Sequence, residues 1–326
     1  MEVKHRQSLK PQKLMDSHML IGTDRSGKTG NIADYMKKTN GIYDVVGAMS
    51  TVCPGYKTEK GIYFPSVWET AANGIISRSV LQKSDGTKIY GETPENPYEI
   101  PNKLTREELI EASLKYPGTQ FLQYPLLHLT RDTPEYLEKV LESNRIVKVH
   151  GIASALGPED ISEEIGMLMK KYDNIVLPHT DYFQSNPGNA LQYLQKRNDP
   201  SKWMDFFEKY SIKGMFAHGA RLCGDTLEKI SKNADQFIVE AGPIINTQGA
   251  RTKTHTSDYV GKLIDMVGTD SIIFNTDYPF MKEEEDLEKD LRLRLSDEDY
   301  KKVMYENAKR FLKLDDSKYL RGNEMK

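Results

Sequence analysis

The sequence predicts an α/β fold, and three observations point to it. Eight short apolar runs rich in β-branched residues are spread along the 326 residues. Longer segments with apolar residues at helical spacing separate most of them, as in βα units around a parallel sheet. Eight is also the number of strands that closes a TIM-type (β/α)8 barrel, which a chain of this length can form as one domain.

The strands are expected at Leu14–His18, Asp44–Met49, Phe121–Tyr124, Arg145–His150, Asn174–His179, Gly214–His218, Phe237–Glu240 and Ser271–Asp277. Helices are expected between them. Thr105–Tyr116 opens on Thr105 with Glu108 three residues later, the pattern of a capping box. Thr133–Ser143 carries Pro134 in its first turn and apolar Tyr136, Leu137, Val140 and Leu141 at helical spacing. Asp160–Tyr172, Asp199–Tyr210, Asp225–Asn233 and Ser257–Val267 follow the same logic, and Ser296–Leu312 starts on an N-cap serine. The stretch from Thr51 to Asn102 breaks the rhythm with Gly, Pro and Thr. Within it Val67–Gln82 is expected as a helix and Ser84–Asn102 as a long loop, a lid or specificity insert beyond the second strand. The domain reading is a lead-in at 1–13, one barrel domain at 14–314 with an insert around 51–102, and a tail at 315–326.

Composition narrows the function classes. With 38% hydrophobic and 29% charged residues the chain has an ordinary globular balance. A net charge of −3, with both signs interspersed, gives no reason to expect nucleic acid or an anionic membrane as partner. Two cysteines, Cys53 and Cys223, make no disulfide framework. No apolar run reaches the ~18–20 residues of a membrane span, and Met1–Lys13 is polar and basic, unlike a secretory signal. A cytoplasmic enzyme of a small molecule, with a homodimer as an option, is the expectation.

The chemistry collects at strand ends. The first predicted strand ends in His18, the fifth in His179, the sixth in His218 and the eighth in Asp277. A parallel barrel brings all carboxyl ends to one rim, so these distant residues would meet around one pocket. Imidazoles and a carboxylate suit zinc or a similar divalent ion, and three protein ligands with an open water position are what a catalytic site uses.

The phrases Asp16-Ser-His18, Val147-Lys-Val-His150-Gly, Pro178-His-Thr180, Ala217-His-Gly219, Thr276-Asp-Tyr-Pro279 and Glu306-Asn-Ala-Lys-Arg-Phe-Leu312 are read together. With them the chain resembles the amidohydrolase superfamily, in the branch of the aminocarboxymuconate semialdehyde decarboxylases and small lactonases, from Asp16 to about Leu314. The resemblance implies a metal-dependent hydrolase holding one divalent ion, zinc or alternatively manganese. His18, His179 and Asp277 would be its ligands. Asp277 would also be the general base, and His218 would orient water or polarise substrate. Lys148 matches a strand-four lysine of such families, either a carbamate bridge between two metals or an ammonium meeting a substrate carboxylate or an internal acid. His150 and Arg78 complete the expected substrate contacts.

One departure matters. Such families carry His-x-His on strand one, whereas this chain reads His18-Met19-Leu20. Residues 18 and 20 share a strand face, so the second nitrogen ligand is missing. Three readings follow: a mononuclear metal hydrolase, with non-oxidative decarboxylation as its near alternative; a metal-independent lactonase or isomerase in which Lys148, Arg78 or Arg131 bind carboxylates; and a non-catalytic binding protein on the same barrel.

Other residues invite weaker readings. Gly22 to Thr29 formally matches a phosphate-binding loop, but a loop after the first strand is preferred. Glu240 ends the seventh strand and reads equally as a pocket residue or a satisfied carboxylate on the rim. His128 and His255 are expected as exposed bystanders, and the two cysteines as inert thiols.

Overall fold

Period-two alternation sorts the parallel strands into an inner and an outer face. In the computed structural model, residues 13–23, 29–51, 55–71, 74–90, 95–180, 189–242, 256–279 and 284–314 are described. Strands β1 (Met15–Thr23) and β3 (Val45–Ser50) pair in parallel, and β8 (Gln120–Gln123) follows in the same sense. The short β2 (Thr29–Gly30) folds back on β1 as an antiparallel partner. A second sheet runs through β9 (Leu126–Leu127), β10 (Ile146–Val149), β11 (Ile175–Pro178), β12 (Lys213–Phe216), β13 (Phe237–Glu240) and β14 (Ile272–Ile273), all parallel.

Backbone hydrogen bonds run on across both seams between the sheets. On one side Tyr124 N donates to Ala48 O and Lys148 N to Pro125 O, each at 2.8 Å. On the other, the segment after β14 lies along β1: Ser17 N reaches Phe274 O at 3.1 Å, Asp277 N reaches His18 O at 2.9 Å and Leu20 N reaches Tyr278 O at 2.8 Å. The sequence expectation of eight parallel segments in chain order therefore stands, β8 and β9 together making the third, with ends shifted by a few residues.

The two faces build two apolar layers. Val147, Val149, Val176, Phe216, Val239 and Ile272 pack outward against helices. Met15, Leu20, Val45, Ile146, Ile175, Leu177, Met215, Ile238 and Ile273 pack inward. The inner cluster also takes Tyr305, Ala308, Phe311 and Leu312 from the end of the chain. Burying both faces is what gives parallel strands their near-continuous apolar sequences.

The helices carry the caps their sequences promise. Thr133 accepts from Tyr136 N at the start of α3 (Pro134–Ser143), and Asp199 from Ser201 N at the start of α7 (Pro200–Tyr210). Ser296 accepts from Asp299 N before α11 (Asp297–Lys301), which runs through a π-helical turn (Lys302–Glu306) into α12 (Asn307–Leu312). Thr105 is different. It lies inside α2 (Glu99–Lys115), buried, and Glu108 accepts instead from Ile32 N of α1 (Ile32–Lys38) at 2.7 Å. The expected capping box is thus not a helix start, because tertiary contacts extend the helix by about two turns.

The larger correction is the insert. Val67–Gln82 is no helix: β5 (Gly61–Ala71) and β6 (Gly74–Gln82) pair antiparallel, flanked by β4 (Tyr56–Thr58) and β7 (Lys88–Tyr90). Pairings such as Tyr63 with Leu81 and Phe64 with Val80 make these strands, and residues 75–82 carry no regular apolar alternation that would announce them. Tyr63 anchors the sheet, its hydroxyl donating to Pro97 O at 2.6 Å. Ser66 Oγ donates to Ala153 O in α4 (Gly151–Ser154), which fastens the insert beside the carboxyl end of β10.

Candidate active site

Each candidate side chain is set by the end of its strand. The first strand bulges between Asp16 and Met19, so Met19 faces the outer layer while His18 and Leu20 face in. Asp16 turns the other way and ties the seam together. Its Oδ2 accepts from Tyr35 Oη at 2.7 Å and from Thr276 Oγ1 at 2.5 Å, and its Oδ1 from Thr276 N at 2.9 Å. Burial pushes this carboxyl up to about 6 although those hydrogen bonds oppose the shift.

His150 and His179 follow β10 and β11 directly, and His218 stands one residue past Ala217 beyond β12. Parallel strands put these ends on one side of the sheet. The rings of His150 and His179 stack, and that of His179 meets His218 edge to face with centroids 4.8 Å apart. His218 lies 5.8 Å from His18, centroid to centroid. His18 Nδ1 is 2.8 Å from Glu240 Oε2, and its Nε2 is 3.7 Å from Asp277 Oδ1. Asp277 has a positive φ of 51°, a left-handed conformation that Asp and Asn tolerate better than most residues.

Lys148 is 1% exposed, and its ammonium has no hydrogen-bond partner among the described residues. Burial lowers it to about 8, with Glu240 and Asp277 pulling the other way. Burial pushes Glu240 up to about 8 against the pull of Lys148 and of the Ser17 hydroxyl. His18 is driven down to about 3 by burial and by Lys148, with Asp277 opposing. Burial likewise holds His150 and His179 well below the usual imidazole range, so neutral rings face the chamber. His179 Nε2 is buried without a hydrogen-bond partner.

The fold thus gathers His18, Lys148, His150, His179, His218 and Asp277 into one polar cluster. Arg78 stands apart, exposed on β6 with Arg131 as an electrostatic neighbour. Glu240 and Ser17 belong to the cluster although the sequence left the first open and said nothing of the second. The signal for Glu240 was its place as the last inward residue of β13. Among the described residues no three His, Cys, Asp or Glu side chains stand close enough together to enclose a cation. His18 Nε2 faces Asp277 at 3.7 Å, and the unpartnered His179 Nε2 belongs to the ring packed against His218.

Two weaker expectations resolve differently. His128 is no exposed bystander: it is 1% exposed and stacks on Tyr98 with centroids 6.4 Å apart, because the chain turns inward after β9. Thr29 of the formal phosphate loop sits in a strand, and α1 begins only after its cap Asn31, so no helix opens on the Gly-Lys-Thr triplet. Cys223 is a free thiol at the start of α8 (Gly224–Lys232), accepting from Thr226 Oγ1 at 3.4 Å. His255, Cys53 and residues 24–28 lie outside the described residues.

A family model described as Amidohydrolase matches residues 131–314, more than half of the chain. The chain belongs to the amidohydrolase family. A search of curated proteins gives no match. Among solved structures, this amidohydrolase is similar to a 5-carboxyvanillate decarboxylase from Sphingomonas paucimobilis, with a TM-score of 0.56 and 9% identity over 93% of this chain and 99% of that chain. It is also similar to a putative 2-pyrone-4,6-dicarboxylic acid hydrolase from Pseudomonas putida, at a TM-score of 0.57 and 10% identity over 94% and 99%. A third is a 5-carboxyvanillate decarboxylase from Novosphingobium aromaticivorans with bound manganese, at 0.53 and 12% identity over 93% and 97%. At identities this low the likeness is one of fold. No described helix of the amidohydrolase is long and apolar enough to cross a membrane.

Proposed function

We propose that this amidohydrolase hydrolyses an amide, lactone or related C–N or C–O bond of a small polar substrate in the cytoplasm. Its ring of eight parallel strands would be a closed TIM-type (β/α)8 barrel, the insert at its carboxyl-end rim helping to select substrate. His18, His179 and Asp277 would hold one divalent ion, zinc or the manganese named for the Novosphingobium neighbour. The carrying observation is the Asp277 carboxylate, 3.7 Å from the Nε2 of a neutral His18 at the mouth of the strand ring.

The donor set fits such an ion by its chemistry. Two imidazoles kept neutral by burial and one carboxylate make a usable three-ligand set, and His179 Nε2 is a buried nitrogen that nothing else satisfies. A bound ion supplies Lewis acidity and lowers the pKa of water at the site. The chain's own residues do the rest. Asp277 accepts the proton of the attacking water through a carboxylate oxygen. His218, packed between His18 and His179, orients that water or the scissile carbonyl. Lys148 meets a substrate carboxylate with its ammonium.

A metal-independent version is a second reading, favoured by Leu20 at the second ligand position and by a resident ammonium in the same chamber. The test is protein purified without chelators, with its metal content measured and a panel of lactones, amides and aromatic carboxylates assayed. Stoichiometric ion and acid release, both lost in Asp277→Ala, support the first reading. Turnover with less than about a tenth of an equivalent of metal would replace it with the second. Carbon dioxide release from the carboxylates would move the reaction to decarboxylation.

A further inference from the structure

Glu240 is wholly buried, yet its two oxygens face neighbours within the cluster: Oε2 lies 2.8 Å from His18 Nδ1, and Oε1 lies 3.3 Å from the Ser17 hydroxyl, which also donates to Phe274 O at 2.8 Å. The register of β13 against β14 fixes it there, with Glu240 opposite Ile273 on the inner face. An imidazole that is neutral has one N–H and one lone pair, and the partner at one nitrogen decides which is which. Beyond the far nitrogen of His18 lies Asp277, another group that accepts.

We propose that Glu240 is a positioning residue that holds His18 in the Nδ1–H tautomer and so turns the bare Nε2 toward the space shared with Asp277. A lone pair and a carboxylate oxygen 3.7 Å apart repel each other unless something positive lies between them. The Glu240–His18–Asp277 line therefore prepares a cation position that the sequence pattern, lacking its second strand-one histidine, does not advertise. Carboxylates behind ligating histidines do the same in many metal sites, by fixing tautomer and ring orientation. The cation part of this inference rests on the function proposed above; the tautomer part does not.

The experiment uses the ion-free full chain labelled with 15N-histidine. Signals missing in His18→Asn identify His18. The expected spectrum has its proton on Nδ1 and none on Nε2; the opposite tautomer in the wild type overturns the proposal, whatever any variant does. In Glu240→Gln, whose amide can donate to Nδ1, the proton is expected on Nε2. Manganese affinity of the same variant, read by chelator competition, should fall by ~10–100-fold. Unchanged tautomer and affinity in that variant would also overturn it. If the wild type takes up no manganese, the metal reading fails, while the wild-type spectrum still decides the role of Glu240.

Discussion

The rings of His150 and His179 lie face to face, with centroids 4.0 Å apart and planes within 11° of parallel. They stand at the ends of adjacent strands, His150 buried and His179 half-buried, and His150 Nδ1 accepts from Ala153 N at 3.1 Å. That nitrogen is therefore bare, and the proton of a neutral His150 sits on Nε2. Two stacked rings cannot both carry charge in so dry a place, so the pair offers lone pairs and not positive charge. The positive charge of the chamber comes from Lys148.

Asp277→Asn is expected to lower kcat/KM by ~10²–10⁴-fold, the usual worth of a general base. The fold should hold, because Asn accepts the positive φ at this position and the backbone bond to His18 O needs no side chain. Thermal melting and steady-state rates on the best substrate of the panel check both halves. A variant with nearly full activity would remove Asp277 from the chemistry.

Lys148→Met should leave the protein as stable as the wild type or more so, while activity is lost. Burying a charge without a hydrogen-bonded partner is costly, and an apolar side chain of similar volume removes that cost. The ammonium has no hydrogen-bond partner to strand when it goes. A large fall in Tm would mean that Lys148 serves the fold, and full activity would mean that it does not touch substrate.

Gly47 on β3 faces the inner layer, where a Cβ would come within 2.3 Å of Tyr124 Oη and 2.4 Å of its Cζ. Gly47→Ala should therefore destabilise by ~1–3 kcal/mol through overpacking, measured by urea unfolding. Adding Tyr124→Phe should recover part of the loss, since it removes the closest atom. Additive effects in the double variant would show that the two positions do not press on each other.

Asp132 supplies a pH test away from the chamber. Burial pushes its carboxyl up to about 7, against the His128 backbone N–H and Arg131. A carboxyl raised in the folded state contributes stability that is complete below its unfolded pKa of ~4 and is lost as pH rises through about 7. Asp132→Asn stays neutral and can still accept from His128 N, a bond of 2.7 Å in the native chain. The Tm of the variant minus that of the wild type should therefore climb between about pH 4 and pH 7 and level off above. A difference that stays flat with pH would contradict the shift.

What the sequence determined by itself is the order of the parallel strands and the identity of the residues at their ends. Burial on both faces forces near-continuous apolar runs, which are legible one strand at a time, and a histidine or aspartate closing such a run stands out. His18, His179, His218 and Asp277 could be named for that reason, and Lys148 only through the family resemblance. The insert was misread because a four-stranded antiparallel sheet rests on pairings such as Val67 with Arg78, and no local period reports a partner. The capping role given to Thr105 failed likewise, because contacts from α1 and β9 decide where α2 starts. Only the tertiary structure could set Glu240 behind His18, bury His128, and leave the Lys148 ammonium without a hydrogen bond. Those are relations between residues up to 222 positions apart, fixed by distance and desolvation, and neither quantity exists until the chain has closed on itself.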